Sequence, residues 1–174
     1  MTLFDTSANA SAVISDDGLY RYRLTREVGC CDRTMTFVML NPSTADALTD
    51  DPTIRRCKNF AAREGCHRII VVNLYAYRAT KPTVLREAAG AGIDPVGPEN
   101  LRHVDMAMRE GRVVVAWGAH AATSPATSVA HLIANWSGPM WCLGRTKDGS
   151  PRHPLMVRSD QPLERWTPLQ GVDS

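Results

Sequence analysis

The stretch FVMLNPSTADALTDDPTIRRC, residues 37–57, contains residue types that can bind and activate a water molecule. A hydrophobic run ends in Asn41, Pro42 and Ser43, and the acidic residues Asp46 and Asp51 follow it. The Asn41 amide can hold a water molecule but is too weak a base to deprotonate it, which a nearby carboxylate can do. A polar loop at the carboxyl end of a parallel strand is where open α/β sheets bind ligands, so this loop is a candidate site.

Three later hydrophobic runs also end in polar or aromatic residues. Asn73 has one acceptor and two donors with which to hydrogen-bond a flat polar ligand. Tyr75 or Tyr77 offers a ring for stacking on such a ligand. His153, in the loop GRTKDGSPRHPL, adds a histidine to the same group of strand ends. The predicted substrate-binding residues of these segments are Asn73, Tyr75, Tyr77, Arg78 and Trp117.

Ordinary structural roles compete with several of these assignments. Asn41 can form a local turn with its own loop, and Asp51 can simply cap a helix. One of Tyr75 and Tyr77 can belong to the core, because the two residues alternate, and Trp117 can be a packing residue. These alternatives remain open from the sequence.

The charged residues are nearly balanced, and only their distribution suggests a partner. The chain has 20 Lys and Arg against 18 Asp and Glu, a net charge of +2. One basic cluster lies on the first predicted helix, and a second lies around a late loop. Each is either a solvated surface or a phosphate-binding rim of one shared cleft. The predicted DNA-phosphate contacts are Arg56, Arg145, Lys147 and Arg152.

The pattern of apolar runs and helix signals predicts the elements that position these residues. Asp51 followed by Pro52 predicts a helix from about Thr53 to Glu64 that stops at Gly65. YRYRLTREV and RTMTFVML predict an N-terminal hairpin over about 18–40. RIIVVNLYAY, RVVVAWG and PMWCLG predict further buried strands, and KPTVLREAAG, GPENLRHVDMAMREG and AHAATSPATSVAHLIAN predict helices.

This alternation predicts one α/β domain over residues 1–174. Its fold is expected to be three-layer α/β/α, with a central, mainly parallel four-stranded sheet. The core is expected to extend to about residue 158, with a short peripheral tail after it. In a parallel sheet the strand ends that carry Asn41, Asn73 and Trp117, and the loop of His153, meet at one edge.

The five cysteines are an odd number and lack metal-ligand spacing. They predict reduced thiols, a cytoplasmic location, no metal site and no cofactor. No apolar run is long enough for a membrane span, so no membrane partner is expected. The protein is predicted to be a monomer.

The ordered segments LNPSTAD, DPTIRRC, VVNLYAYRAT, GPEN, VVVAWGAHA and RHPL resemble the bacterial and phage domain-of-unknown-function family 1643. The resemblance extends from about Tyr20 to Leu155. It implies no activity of its own, but an association with phage makes hypermodified phage DNA a candidate substrate and phage defence a candidate role.

The same order of strand ends is similar to the uracil-DNA glycosylase superfamily, although this resemblance is weaker. It implies that Asn41 and Pro42 orient the attacking water and that Asn73 reads the base edge. On this basis the expected catalytic residues are Asn41, His153, Asp46 and Asp51, and Pro42 and Ser43 are expected to contact substrate. His153 would donate to the charge that develops on the leaving base, and Tyr75 or Tyr77 would stack on an extruded base. Trp117 with Gly118 matches that superfamily's Trp-Gly strand end. The pair His153-Pro154 matches its late His-Pro loop, which enters the minor groove of DNA.

Several departures from the superfamily pattern predict a substrate other than plain uracil. Leu40 and Ser43 replace glycines, Leu155 replaces a serine, and an acidic segment over 46–51 is extra. We therefore expect a DNA glycosylase that flips a modified or damaged base into its pocket. The alternatives are an enzyme that processes free nucleobases or nucleotides and a non-catalytic module that binds modified nucleotides.

Overall fold

The computed structural model describes residues 3–7, 10–29, 32–42, 49–79, 82–119 and 128–168, which form a mixed α/β fold. One eight-stranded sheet has the order β1-β2-β3-β5-β4-β6-β7-β8. Its strands are β1 Leu3–Ser7, β2 Ala10–Ile14, β3 Arg21–Glu27, β4 Thr34–Met39, β5 Arg68–Asn73, β6 Arg112–Val115, β7 Met140–Cys142 and β8 Glu164–Trp166.

The four central strands of the sheet are parallel to one another. Strand β4 pairs with β5 on one side and β6 on the other, and β6 pairs with β7. These are the four buried runs that the sequence indicates, and their apolar character follows from burial on both faces. The carboxyl ends of all four strands therefore lie at the same edge of the sheet.

The sheet is larger than the four strands expected from the sequence, because antiparallel strands extend both of its sides. Strands β1, β2 and β3 form a meander that joins β5, and β8 joins β7. The tail after Gln161 is therefore not only peripheral: Trp166 is buried in the core.

The predicted N-terminal hairpin over 18–40 is wrong. Strand β3 pairs with β2 and β5, and β5 separates it from β4. Strands β3 and β4 are neighbours in sequence. The β4–α1–β5 crossover nevertheless places β5 beside β4, and β3 pairs with the other side of β5. Hydrogen bonding to a long-range partner thus replaces the local pairing.

Helices pack against both faces of the sheet. Helix α1, Pro52–Arg63, covers one face through Ile54 and Phe60, in a cluster with Phe37 and Val71. Helices α2 (Pro82–Gly90), α3 (Asn100–Glu110) and α4 (Ser128–Ala134) supply the cluster on the other face. Because side chains alternate along a strand, Val38 belongs to this second cluster.

The helix signals in the sequence are largely confirmed. Helix α1 starts at Pro52, and Gly65 after it has a φ of 68°. Helix α3 also forms, with Val104 and Met108 buried. The predicted start of α4 lies outside the described residues. Among the described residues, no helix combines the length and apolar character that crossing a bilayer requires.

Gly111 joins α3 to β6 where two backbones approach closely, which makes it a sensitive test of the sheet. A Cβ atom there would lie 2.4 Å from the carbonyl oxygen of Thr34 at the start of β4. We expect Gly111→Ala to reduce the free energy of unfolding in urea by about 1–3 kcal/mol. Gly90→Ala, with nothing within 4 Å of the added methyl, is the control and should be neutral or slightly stabilising. Equal stabilities would contradict the close approach.

Candidate functional site

A cavity of about 640 Å³ lies at the carboxyl edge of the parallel strands, on the face that α1 covers. The ends of β4, β5 and β6 contribute Asn41, Asn73 and Trp117, and the loop after β7 contributes His153. Helix α1 contributes Asp51 through its first turn. The convergence of these residues that the sequence predicts is therefore present in the fold.

Asn73 is the last residue of β5 and is one of the residues that line the cavity. Its side chain is 2% exposed, and Oδ1 is buried with no hydrogen-bond partner in the part of the chain that the structure describes. A buried carbonyl oxygen without a partner carries a desolvation cost that a ligand N–H group can remove. The Asn73 side chain is therefore suited to accept a hydrogen bond from a ligand.

Asn100 fixes the backbone that carries Asn73. It is the last residue of the GPEN segment and is fully buried at the start of α3. Its Nδ2 donates to the carbonyl oxygens of Asn73 at 3.0 Å and Leu74 at 3.2 Å. One buried amide thus supports the chain at the end of β5, in addition to the backbone hydrogen bonds of Leu74 and Tyr75 to the chain after β4.

The side chain of Asn41 is held by two hydrogen bonds, and Asn41 also lines the cavity. Its Nδ2 donates to the carbonyl oxygens of Ala79 at 2.7 Å and Pro42 at 3.2 Å. The local turn considered from the sequence is therefore partly present. Because the amide is planar, these two bonds also fix the direction of Oδ1, the atom that can orient a water molecule.

Asp51 caps α1 and lies on the cavity wall at the same time. Its Oδ1 accepts the N–H of Ile54 at 2.8 Å, as the helix signal predicts. Its charge also reaches two other groups of the cavity, because it raises the pKa of both Arg21 and His153 against the effect of burial. Asp50, by contrast, is held by Arg26 and Lys58, each at 2.8 Å.

His153 is held as a neutral ring with a defined tautomer. Burial lowers its pKa below the ordinary 6.5, and Asp51 opposes this shift. Its Nδ1 accepts the N–H of Leu155 at 3.3 Å, so the neutral ring carries its proton on Nε2. The ring is therefore a neutral hydrogen-bond donor within the cavity.

The Trp117-Gly118 strand end supports the loop that carries His153. Gly118 has a φ of 76°, and its N–H donates to Pro151 at 2.9 Å. A Cβ atom at Gly118 would lie 3.4 Å from the Cβ of His153, so the two chains are in contact. Trp117 lines the cavity and also packs edge-on against Trp166, with ring centres 5.3 Å apart, so its packing and lining roles coexist.

Three of the predicted substrate-binding side chains lie elsewhere. Tyr75 is buried in the cluster on the opposite face of the sheet, which argues against stacking on a ligand in this cavity. Tyr77 packs against that cluster and against the ring of Tyr20. Arg78 donates to the carbonyl oxygen of Gly18 at 3.1 Å. The chain beyond β5 is irregular, so the strict alternation of a strand, which would place residues 73, 75 and 77 on one face, no longer holds there.

The four residues predicted to contact DNA phosphates differ in their exposure and in their contacts within the protein. Arg56 donates to the carbonyl oxygens of Pro154 and Val157, so it ties α1 to the segment after His153. Arg145 pairs with Glu164 at 3.9 Å. Lys147 and Arg152 are exposed, and Arg152 lines the rim of the cavity. The phosphate-binding roles themselves stay predictions.

Ser43 and Asp46 lie outside the described residues, and Pro42 is buried beside Asn41 with its carbonyl oxygen accepting the Ala79 N–H at 3.1 Å. Cys57, Cys66 and Cys142 are buried free thiols, and burial raises the pKa of Cys142 to about 11. Within the described ranges, no group of three metal-ligating side chains is close enough to hold an ion.

Two residues of the site were missed in the sequence. Arg21 lines the cavity at 3% exposure, although an arginine at a strand start ordinarily indicates solvent. Asn100 is the last residue of the GPEN segment, and the sequence suggests no role for it in the site. Its position, an asparagine at a helix start just after Gly-Pro-Glu, was a signal for capping rather than for support of a strand end.

Fold and cavity together define a mixed α/β protein with a candidate ligand site at the ends of parallel strands. The chain matches the family described as "Protein of unknown function (DUF1643)" over residues 21–155, and it belongs to that family. The chain has no significant match among curated proteins or solved structures. The matched residues contain every described residue that is named above as lining the cavity.

Removing the Asn100 amide should destabilise the fold. Asn100→Ala deletes two buried hydrogen bonds to the chain beyond β5, and we expect a loss of about 1–3 kcal/mol of unfolding free energy in urea. Asn135→Ala, which deletes one exposed bond to His131 at 2.8 Å, is the control and should cost less than about 0.5 kcal/mol. Similar losses in both variants would show that Asn100 is not a buried support.

The pH dependence of stability should contain a contribution from His153. Because its folded pKa lies below 6.5, the unfolded chain binds the proton first as the pH falls. The contribution of His153 to the free energy of unfolding is complete above about pH 6.5 and is lost as the pH falls toward the folded pKa. His153→Gln should therefore flatten the decline of unfolding free energy in this range.

His103 provides the comparison for this measurement. Burial also lowers its pKa, with Glu99 opposing, so it contributes with the same sign. His103→Gln should remove a separate part of the decline, and the double variant should remove both. An unchanged decline in His153→Gln would contradict the burial of a neutral ring.

Proposed function

We propose that the protein is a DNA glycosylase that hydrolyses the N-glycosidic bond of a modified or damaged base other than plain uracil. The convergence of Asn41, Asn73, Asp51 and His153 on one cavity is the observation that carries this proposal. These four side chains supply a water-orienting group, a base-reading amide, a carboxylate and a neutral donor. Hydrolysis of this bond needs each of these functions.

The reaction follows from the chemistry of the four groups. A water molecule bound at Asn41 Oδ1 attacks C1′ of the sugar, the new C1′–O bond forms, and the C1′–N bond breaks. Asp51 takes the proton that the water loses. The electron pair of the broken bond leaves with the base, and the Nε2–H of His153 stabilises the resulting negative charge.

A neutral His153 suits this last role. The lowered pKa and the bond from Leu155 support a ring that donates from Nε2 without carrying a charge of its own. Asn73 reads the base edge in the same step, because its buried Oδ1 can accept an N–H of the base. The fold proposed for this activity is the three-layer, uracil-DNA-glycosylase-like arrangement. Four parallel strands with helices on both faces support it.

DNA as the partner is supported by the exposed cations of the loop that carries His153. Lys147 and Arg152 are exposed, Arg152 lines the cavity, and Arg145 lies in the same loop. We infer that the protein acts in the cytoplasm, for which the buried free thiols of Cys57 and Cys66 are the supporting observation. A monomer stays a prediction.

A second candidate is an enzyme that processes free nucleobases or nucleotides. The observation in its favour is that cations of α1 are already used within the protein. Arg55 donates to the carbonyl oxygen of Asp50, and Lys58 pairs with its carboxylate. Arg56 and Arg63 hold carbonyl oxygens of the 154–159 segment. These contacts weaken the case for a long phosphate-binding stripe along α1.

Incubation with a panel of substrates distinguishes the two candidates. Duplex and single-stranded DNAs with assorted modified bases are treated with the protein and then with alkali, which cleaves at abasic sites. The corresponding free nucleosides and nucleotides are incubated in parallel, and released base is measured by chromatography. Cleavage of DNA alone supports the glycosylase, whereas turnover of the free compounds alone supports the second candidate.

Two substitutions test the site on whichever substrate reacts. His153→Ala should lower the rate by about 10²–10³, because one donor to the leaving group is lost. Asn73→Asp should change which base is accepted, because a group with two donors becomes acceptor-only. His67→Ala is the matched control, since His67 lies next to the start of β5, at the other end of the strand from Asn73. Undiminished activity in His153→Ala, with folding intact, would refute the assignment.

A further inference from the structure

The cations near the cavity fall into two groups, and only one group is open to a polyanion. On α1, Arg56 and Arg63 donate to carbonyl oxygens of the 154–159 segment, and Lys58 pairs with Asp50. The second group lies on the β7 and β8 side of the cavity. Among the residues that the structure describes, no carboxylate forms an ion pair with its exposed members Lys147, Arg152 and Arg165.

Strand β8 places Arg165 beside Trp141 on the face of the sheet that α1 covers. Arg165 is the register partner of Trp141, and Trp141 packs against the core cluster of that face. The guanidinium carbon of Arg165 lies 5.2 Å from the centre of the Trp141 ring, and that of Arg112 lies 5.6 Å from it. One aromatic ring thus holds two guanidinium groups at defined positions on an exposed surface.

A series of contacts connects these two guanidinium groups to the cavity. Arg152 lines the cavity, and its Nε donates to the carbonyl oxygen of Arg145 at 2.9 Å. Arg145 in turn donates from Nη2 to the carbonyl oxygen of Arg165 at 3.4 Å. The cations therefore follow one another from the cavity to the β8 edge of the sheet. We refer to this region as the β7–β8 basic surface, formed by Arg112, Trp141, Arg145, Lys147, Arg152 and Arg165.

The β7–β8 basic surface stays positive when its acidic neighbours are included. Arg112 pairs with Glu64 at 3.1 Å, and Arg145 lies 3.9 Å from Glu164. Asp148, in the same loop as Lys147, is a third carboxylate. Five cations and three carboxylates leave an excess of two positive charges, and three of the cations have no ion pair. Such a surface is complementary to a chain of phosphates.

We propose that the DNA strand that carries the target base runs over the β7–β8 basic surface, on one side of the cavity. Arg152, Lys147 and Arg165 bind its phosphates, and Trp141 holds the guanidinium group of Arg165 ready for this contact, which lowers the entropy cost of binding. This inference rests on the function proposed above and specifies where its polymeric partner lies. It replaces the stripe along α1 that the sequence suggests.

The salt dependence of DNA binding tests the path. Fluorescence anisotropy follows the binding of a labelled oligothymidylate of about 20 nucleotides at several salt concentrations. On a single strand, each lost phosphate contact lowers the slope of log affinity against log salt by about 0.7. Arg165→Gln should show this change and bind about fivefold more weakly at 0.1 M salt. A slope and an affinity equal to those of the wild type would overturn the proposal.

Two matched variants remove one positive charge at other places. Arg102 is exposed on α3, which packs on the opposite face of the sheet, and Arg55 is exposed on α1. Arg102→Gln and Arg55→Gln should leave the slope unchanged, because neither residue lies on the path. A decrease in Arg55→Gln as large as that in Arg165→Gln would show that the strand also follows α1, which would overturn the one-sided path.

A charge-conserving variant tests the role of Trp141. Trp141→Leu keeps every cation but removes the ring that holds two of them, so we expect weaker binding with an unchanged slope. Trp141→Phe retains a ring and should bind nearly as the wild type does. Circular dichroism and thermal unfolding verify that each variant is folded. Wild-type affinity in a folded Trp141→Leu protein would refute the role of Trp141, and if that variant does not fold, Arg165→Gln decides the path.

Competition and excision separate the remaining outcomes. Polyglutamate that displaces the labelled strand as well as unlabelled oligothymidylate does, at equal charge, would reassign the surface to an acidic protein partner. DNA binding that depends on Arg165, without excision of any base, would support the surface and refute the glycosylase. Excision from DNA with an unchanged slope in Arg165→Gln would support the glycosylase and refute the surface.

Discussion

Strand β4 lies between β5 and β6 and runs parallel to both, and every functional feature of the protein depends on this pairing. The register continues past the strands, because the N–H of Leu74 donates to Met39 at 2.8 Å and that of Ala116 donates to Val38 at 2.8 Å. The three chains therefore leave the sheet together. The residues that follow these strands line the cavity, and core residues such as Met39 and Val71 form its apolar part.

Helix α1 connects the two halves of the site. Its first turn presents Asp51 to the cavity, and its second turn carries Arg56, which holds the carbonyl oxygens of Pro154 and Val157. Residues about a hundred positions apart are thereby fixed relative to each other, and the His153 loop gains a rigid support. A basic helix that suggests nucleic-acid binding thus acts first as an internal clamp.

Electrostatics within the cavity are set by burial and by one carboxylate. Burial lowers the pKa of His153 and of Arg21, and Asp51 opposes both shifts. Desolvation thereby keeps the imidazole neutral at neutral pH, whereas the guanidinium stays charged. A neutral hydrogen-bond donor and a buried positive charge therefore line the same cavity.

The sequence by itself determined the local features, which are the Asp51 cap and the apolar runs, and the order of strands and helices from which the meeting of Asn73 and His153 at one sheet edge is inferred. Periodicity and capping depend on near neighbours, so they are readable without a fold. The tertiary structure alone decided that β5 separates β3 from β4, that Tyr75 belongs to the opposite face, and that Arg21 is buried. Strand order and burial depend on long-range pairing, and the residue types of a segment do not specify its distant partner.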